Sequence, residues 1–127
     1  MPNFDEIYFP RDSWVRKGNF GKLLVIAGNY QYSGSPIFNG ISALKSGTDL
    51  VYIYTAERIA NAVRAGNPDL IVIPYLDNYL MMNHVDRLRE IIERYHITAI
   101  LIGGGLGDEE ETYSTVLEVV QNFQLPM

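Results

Sequence analysis

Two glycine-rich stretches hold the residues of this sequence best suited to chemistry. The first, "GNYQYSGSP" (residues 28–36), places Gly28 and Gly34 around hydrogen-bonding side chains and ends on Ser35-Pro36. The second, "GGGLGDEE" (residues 103–110), holds Gly103, Gly104, Gly105 and Gly107 ahead of an acidic run. Glycines let a ligand approach the backbone closely, and a helix opening just after such a loop offers free N–H groups to an anion. Neither stretch is a Walker A loop, since no Gly-Lys-Ser/Thr closes it, and neither has the spaced glycines of a dinucleotide fingerprint. From pattern alone two readings stay open: tight strand-to-helix turns, or the walls of a ligand site.

Other candidates carry less chemistry. His84 and His96, the only histidines, flank one helical segment and read as surface or cap residues rather than metal ligands. The run Asp108–Glu111 suits the positive end of a helix dipole better than a divalent cation. Lys17, in "RKGNFGK", could meet a phosphate or stand in a solvated loop. Of Tyr30, Tyr32, Tyr52 and Tyr54, the last two fall in a strand pattern and are expected in the core rather than stacked on a base. No Ser-His-Asp set and no spaced metal-ligand cluster is present. No Asp or Glu occurs in either glycine stretch before Asp108, so a general base is missing.

Such loops act only if strands and helices hold them. Apolar runs at Leu23–Ala27, Leu50–Tyr54, Leu70–Pro74 and Ile97–Ile102 are nearly continuous in Val, Ile and Leu, as in parallel strands covered on both faces. Between and after them lie helical segments at 35–46, 57–65, 84–95 and 109–123. Four β-α units in a row predict a three-layer α/β fold, a parallel sheet with helices on both faces. Ser35 is expected as an N-cap with Pro36 at the first helical position, and Gly47 as the left-handed stop. Ile37, Ile41 and Leu44 share one face of that helix, as do Val85, Leu88, Ile91, Ile92 and Tyr95 in the third. Both glycine stretches then follow strands, where open parallel sheets bind ligands.

Bulk properties narrow the classes. With 127 residues, 47% hydrophobic and 20% charged, the chain has the size and composition of a single domain with a core. A net charge of −5, with basic residues grouped only at Arg16-Lys17 and Arg87/Arg89, argues against a nucleic-acid surface. There is no cysteine, which excludes disulfides and thiolate metal sites. The amino terminus lacks the apolar region of a signal peptide, and no apolar run approaches the ~20 residues that cross a bilayer. No membrane partner and a cytoplasmic location are the expectations. "VVQNFQLPM" finishes a helix, and Pro126-Met127 points toward a fifth strand.

Taken in order, "KGNFGKLLVIAGNYQYSGSPIFNGISALKSGTDLVYIYTA", "NPDLIVIPYLD" and "ILIGGGLG" resemble the NAD(P)H-hydrate dehydratases, repair enzymes with a ribokinase-like (Rossmann-like) fold. The resemblance covers about residues 16–120, and its wording is closer to the ATP-using than to the ADP-using branch. It implies phosphorylation of the hydroxyl on hydrated NADH or NADPH by ATP or ADP with Mg²⁺, followed by loss of phosphate. It further implies substrate-binding roles for Gly34 and Ser35, from a Gly-x-x-x-Tyr-x-Gly-Ala-Pro loop matched by Gly28, Tyr32, Gly34, Ser35 and Pro36. Gly103, Gly105 and Gly107, from a Gly-Pro-Gly-Leu-Gly loop, are implied in the same pocket. Lys17, Gly18 and Gly21 match the family's Lys-Gly segment in outline.

The departures are equally specific. Ser35 stands for the usual alanine, Gly104 for a proline whose loss is expected to loosen the loop, and Arg16 for a common histidine. The family's later Asp-Ala-Asp, Thr-Pro-His-x-Gly-Glu and Gly-Thr-Gly-Asp motifs, with the catalytic aspartate, do not occur. Residues 1–127 are therefore expected to be the amino-terminal part of one ribokinase-like domain. No catalytic residue, metal ligand or nucleotide site is expected within them, and the chain alone is expected to be inactive. Rival expectations are a ribokinase-like small-molecule kinase and a non-catalytic binding or assembly module, with homo-oligomerisation as one form of association.

Overall fold

A computed structural model describes all 127 residues. The elements are α1 (Phe4–Ile7), β1 (Lys22–Ile26), α2 (Gly34–Lys45), β2 (Leu50–Ala56), α3 (Glu57–Gly66), β3 (Leu70–Tyr75), a 3-10 turn (Met82–His84), α4 (Val85–Tyr95), β4 (Ala99–Ile102) and α5 (Glu110–Asn122). The four strands form one parallel sheet in the order β3-β2-β1-β4. The fourth strand is shorter than its apolar run: Ile97 is buried ahead of it, and Thr98 Oγ1 receives the Lys22 N–H at 2.9 Å.

Alternate residues of β2 show the three layers. Ile53 lies under Gly40 of α2, whereas Tyr52 stacks on Tyr95 of α4 with ring centroids 4.7 Å apart. Successive strand residues face opposite sides, so α2 and α4 cover opposite faces. This is what right-handed crossovers require when the chain steps outward through β2 and β3 and then returns past β1 to β4. Leu24, Val25, Ile26, Val51 and Ile53 are fully buried between the layers. Tyr52 and Tyr54 are buried as expected, and Val85, Leu88 and Ile91 form the buried stripe of α4.

Ile37 and Leu44 of the expected α2 stripe are partly buried against the core, alongside two fully buried small positions. Pro36 and Gly40 are its buried positions, and a Cβ on Gly40 would lie 2.5 Å from Leu70 Cδ2. The helix therefore rests on the sheet through a glycine, while Ile37 turns toward Gly66 of α3. Its end matches expectation: Gly47 (φ 103) is left-handed, its N–H donating to Leu44 O and that of Thr48 to Ala43 O.

Its start does not match. The flanking residue is Ser33, no side chain caps the helix, and Ser35 and Pro36 lie one position apart inside the first turn. Asn29 causes the shift by winding the chain early, as described below. Pro36 is tolerated because the first N–H groups of a helix have no intrahelical acceptor.

At the amino ends of the strands, Asp49 gathers the leading segment. Its Oδ2 accepts the N–H groups of Gly18 (2.9 Å) and Phe20 (3.0 Å), and its Oδ1 accepts from Arg11 at 3.0 Å. The Phe20 N–H foremost, then the Gly18 N–H and Arg11, hold its carboxyl below the usual range against the opposing effect of burial. No helix is long and apolar enough to cross a membrane.

Candidate functional site

The strand order reverses direction at β1. From β1 the chain moves outward to β2 and β3, and β4 then adds on the other side. The crevice beyond the carboxyl ends of β1 and β4 is thus the topological switch point, where open α/β sheets take their ligands. Both glycine stretches lie there.

The first loop leaves the sheet at Gly28, whose φ of 77 suits glycine. A Cβ at that position would meet Thr55 Oγ1 and Tyr32 O at 2.8 Å and Ile59 Cδ1 at 2.9 Å. Asn29 is buried and folds the loop over itself. Its Oδ1 accepts the N–H groups of Gln31 (2.8 Å) and Tyr32 (3.1 Å). The Tyr30 N–H then donates to Asn78 O at 2.7 Å, which ties the loop to the segment after β3. The loop is long because it closes a side-chain-mediated turn before α2 begins.

The second loop docks on the first. Gly103 N–H donates to Ile26 O (3.2 Å), Gly28 N–H to Gly104 O (2.8 Å), and Asn29 Nδ2 to Leu106 O (3.2 Å). Gly103, Gly105 and Gly107 have φ of 136, 69 and 93. A Cβ on Gly105 would come within 3.0 Å of Ser35 Oγ and 3.2 Å of Tyr32 Cβ, and one on Gly107 within 2.6 Å of Asn29 Nδ2. Gly104, which has an ordinary φ, faces Asn39 Nδ2 and Ser35 Cβ in the same way, at 2.8 and 3.2 Å.

Ser35 and Gly105 thus meet, and Gly107 lies against Asn29 instead. Gly34 opens α2, and a Cβ there would touch only the Phe38 ring at 3.7 Å, so the position is roomy rather than conformationally forced. Gly103 is the outlier, exposed with nothing within 4 Å of a Cβ, at the mouth of the crevice rather than in it. The N–H groups of Gly34, Ser35, Gly105 and Gly107 have no acceptor. With the positive end of α2 behind them, they form a donor cradle without side-chain obstruction.

Lys17, Gly18 and Gly21 do not join this site. They precede β1, at the opposite end of the sheet from the two loops. His84, expected as a surface or cap residue, is a cap that closes the capping box of the 3-10 turn. It is buried, its Nδ1 accepts the Met81 N–H at 3.1 Å, and its Nε2 lies 2.8 Å from Asp77 Oδ2. With Nδ1 accepting, the proton belongs on Nε2, facing the carboxylate. Its ring packs on Tyr75 at 4.5 Å. His96 is exposed at the end of α4 with a left-handed φ of 53. Glu110 and Glu111 occupy the first turn of α5, as the acidic run predicts.

Three further groups belong to the site's framework. Asn29 joins the two loops, Asn39 supports Gly104 from α2, and Thr55 lies beneath Gly28. The signals available for them in sequence were an Asn directly after a strand-ending glycine and an Asn four residues after Ser35. Thr55 Oγ1 is fully buried and has no hydrogen-bond partner. Nearby, Tyr75 Oη reaches Gly28 O at 3.4 Å. Burial pushes the Tyr54 hydroxyl up to about 12 and Tyr75 higher still, so both remain neutral donors.

Comparison with known proteins places this geometry in context. The family profile described as NAD(P)H-hydrate dehydratase, of the carbohydrate-kinase type, matches residues 23–127. The chain is 37% identical to the ATP-dependent (S)-NAD(P)H-hydrate dehydratase of Drosophila pseudoobscura, over 87% of this chain and 36% of that one. It is 42% identical to the ADP-dependent enzyme of Cenarchaeum symbiosum, over 86% of this chain and 37% of that one. A hypothetical protein of Streptococcus mutans superposes with a TM-score of 0.73 at 30% identity, covering 92% of this chain and 39% of that one. The chain spans between 21% and 37% of the length of such curated relatives. Matched along most of its length by sequence and by fold, the chain belongs to the NAD(P)H-hydrate dehydratase family.

Proposed function

We propose that this chain supplies the substrate-holding part of a nucleotide-dependent NAD(P)H-hydrate dehydratase. One observation carries the reading: the two glycine loops meet across the β1/β4 switch point, with Gly104 and Gly105 against Ser35 in the first turn of α2. A phosphorylated dinucleotide carrying a hydroxyl on its ring fits such a cradle, because backbone donors and a helix start favour anionic groups. Gly34, Ser35, Gly105 and Gly107 bind and orient the hydrate, and Gly103 forms the entrance. Ser35 Oγ, where alanine is usual, adds one hydroxyl to the pocket wall.

The family implies a nucleotide and a divalent metal. No three His, Asp or Glu side chains cluster in a way that could hold Mg²⁺. No carboxylate precedes Asp108 in either glycine loop, so neither loop offers a base for proton abstraction beside Ser35. What it contributes is orientation: holding the hydroxyl-bearing ring in one pose, which lowers the entropic part of a phosphoryl-transfer barrier. Restoration of the near-ultraviolet absorbance of reduced nicotinamide, by a full-length protein containing this chain given NADH hydrate and ATP or ADP, tests the reading. Consumption of nucleotide without that recovery would instead indicate a small-molecule kinase.

A further inference from the structure

Two departures from the family's pattern lie side by side. Ser35 stands where alanine is usual and Gly104 where proline is usual, and a Cβ on Gly104 would fall 3.2 Å from Ser35 Cβ. The same Cβ would fall 2.8 Å from Asn39 Nδ2, so the Asn39 amide stands where the ring of a proline at position 104 would begin. Asn39 shares the Ser35 face of α2, one turn and about 6 Å further along its axis. Both side chains are partly buried. Thr55 Oγ1 is the one enclosed side-chain polar atom without a partner, so the Ser35 hydroxyl and the Asn39 amide, which also bond to no protein group, open to solvent beside the second loop. No Lys or Arg occurs in residues 28–39 or 103–107. The wall is therefore uncharged, and it carries an amide whose donors and acceptor are both unused.

We propose that Asn39 is a specificity-determining residue of this site, its side-chain amide pairing with the carboxamide of the hydrated nicotinamide ring. The inference rests on the dehydratase reading for the identity of the ligand. The backbone donors at the start of α2 suit the phosphates. Asn39, a turn deeper and neutral, suits the uncharged end of the same molecule. A primary carboxamide is complementary to another: the Asn39 Nδ2 donates to the ligand's carbonyl while its Oδ1 accepts from the ligand's NH₂. Turning the Asn39 amide over exchanges the two bonds and keeps the pairing. A ribose or ring hydroxyl would meet only one side of it.

The test measures equilibrium binding of two hydrates by calorimetry, with nucleotide omitted, to a full-length protein containing this chain. One is NADH hydrate. The other is the hydrate of reduced 3-acetylpyridine adenine dinucleotide, in which a methyl replaces the amide NH₂. The parent is expected to bind NADH hydrate about tenfold more tightly, the effect of one lost hydrogen bond. Asn39→Leu, of similar shape but without polar atoms, and Asn39→Ala are expected to bring the two affinities within about twofold of each other. A parent that binds both hydrates alike overturns the proposal. So do variants that weaken both hydrates equally and keep the parent's preference, which is how a merely structural Asn39 would behave. Binding of neither hydrate overturns the proposal together with the dehydratase reading. The expected preference, without recovery of reduced-nicotinamide absorbance once ATP or ADP is added, supports the proposal and removes the dehydratase reading alone.

Discussion

Replacing Asn29 with alanine removes the one side chain that bridges the two glycine loops. Three hydrogen bonds disappear: two to its Oδ1 from Gln31 and Tyr32, and one from its Nδ2 to Leu106 O. Gln31 is exposed and its N–H can turn to water, so that bond costs little to lose. The Tyr32 N–H keeps its bond to the Asn29 carbonyl at 3.2 Å, so the main cost is the buried Leu106 carbonyl left without a donor, ~1–3 kcal/mol. A loss of that size is a large share of the ~5–15 kcal/mol stability of such a domain. Urea unfolding followed by far-ultraviolet circular dichroism is the suitable assay, since Trp14, the only tryptophan, is 90% exposed and says little about the core. The Gly107→Ala change supplies a geometric control, because its Cβ would fall 2.6 Å from Asn29 Nδ2. Combined with Asn29→Ala that clash is gone, and the double variant should lose less than the two single losses added, by about 1 kcal/mol. An Asn29→Ala protein within about 0.5 kcal/mol of the parent, or strict additivity with Gly107→Ala, would refute the clamp.

Other changes give equally direct outcomes. Thr55→Val replaces an unpartnered buried hydroxyl with a methyl of the same shape and is expected to stabilise the chain by about 1 kcal/mol in the same urea assay. Gly28→Ala forces a left-handed φ on a residue with a side chain and drives its Cβ against three atoms. Strain of ~1–2 kcal/mol and overpacking of ~1–3 kcal/mol should together lower the unfolding midpoint sharply. Asp49 has a lowered pKa, so the unfolded chain takes up its proton first as pH falls. Its contribution is present above the unfolded carboxylate value of about 3.9 and is lost as pH drops through the lower folded value. Urea midpoints measured across that acid range should fall less steeply in Asp49→Asn than in the parent.

Most of the scaffold could be read from periodicity, because buried parallel strands leave unbroken runs of Val, Ile and Leu. The runs at Leu50 and Leu70 became strands with little change at their starts. What misled was chemistry acting between distant residues. Ser35 had the local marks of a cap, but Asn29 wound the loop before that point. Gly40 gave no apolar signal, yet its missing side chain is what lets α2 approach Leu70. His84 was legible as a helix-end cap, but its burial was not, because its partners Asp77 and Tyr75 are assembled only by the fold. Both glycine loops were visible from composition. That they face each other follows from strand order, which no short window contains.

The central position of β1 also bears on how the chain folds. Its pairing with β2 joins neighbouring elements, but on the other side Lys22 bonds to Thr98, 76 residues away. Contacts of such separation are formed against a larger loop-closure entropy, and parallel pairings of this kind are intrinsically slow. The β1–β2–β3 portion therefore has the means to assemble first, with β4 arriving after the intervening helix has formed. Gly28 meets Gly104, and Asn29 meets Leu106, only on that arrival. The crevice is consequently a product of the slowest step, and any change that delays β4 leaves a chain with most of its secondary structure and no cradle.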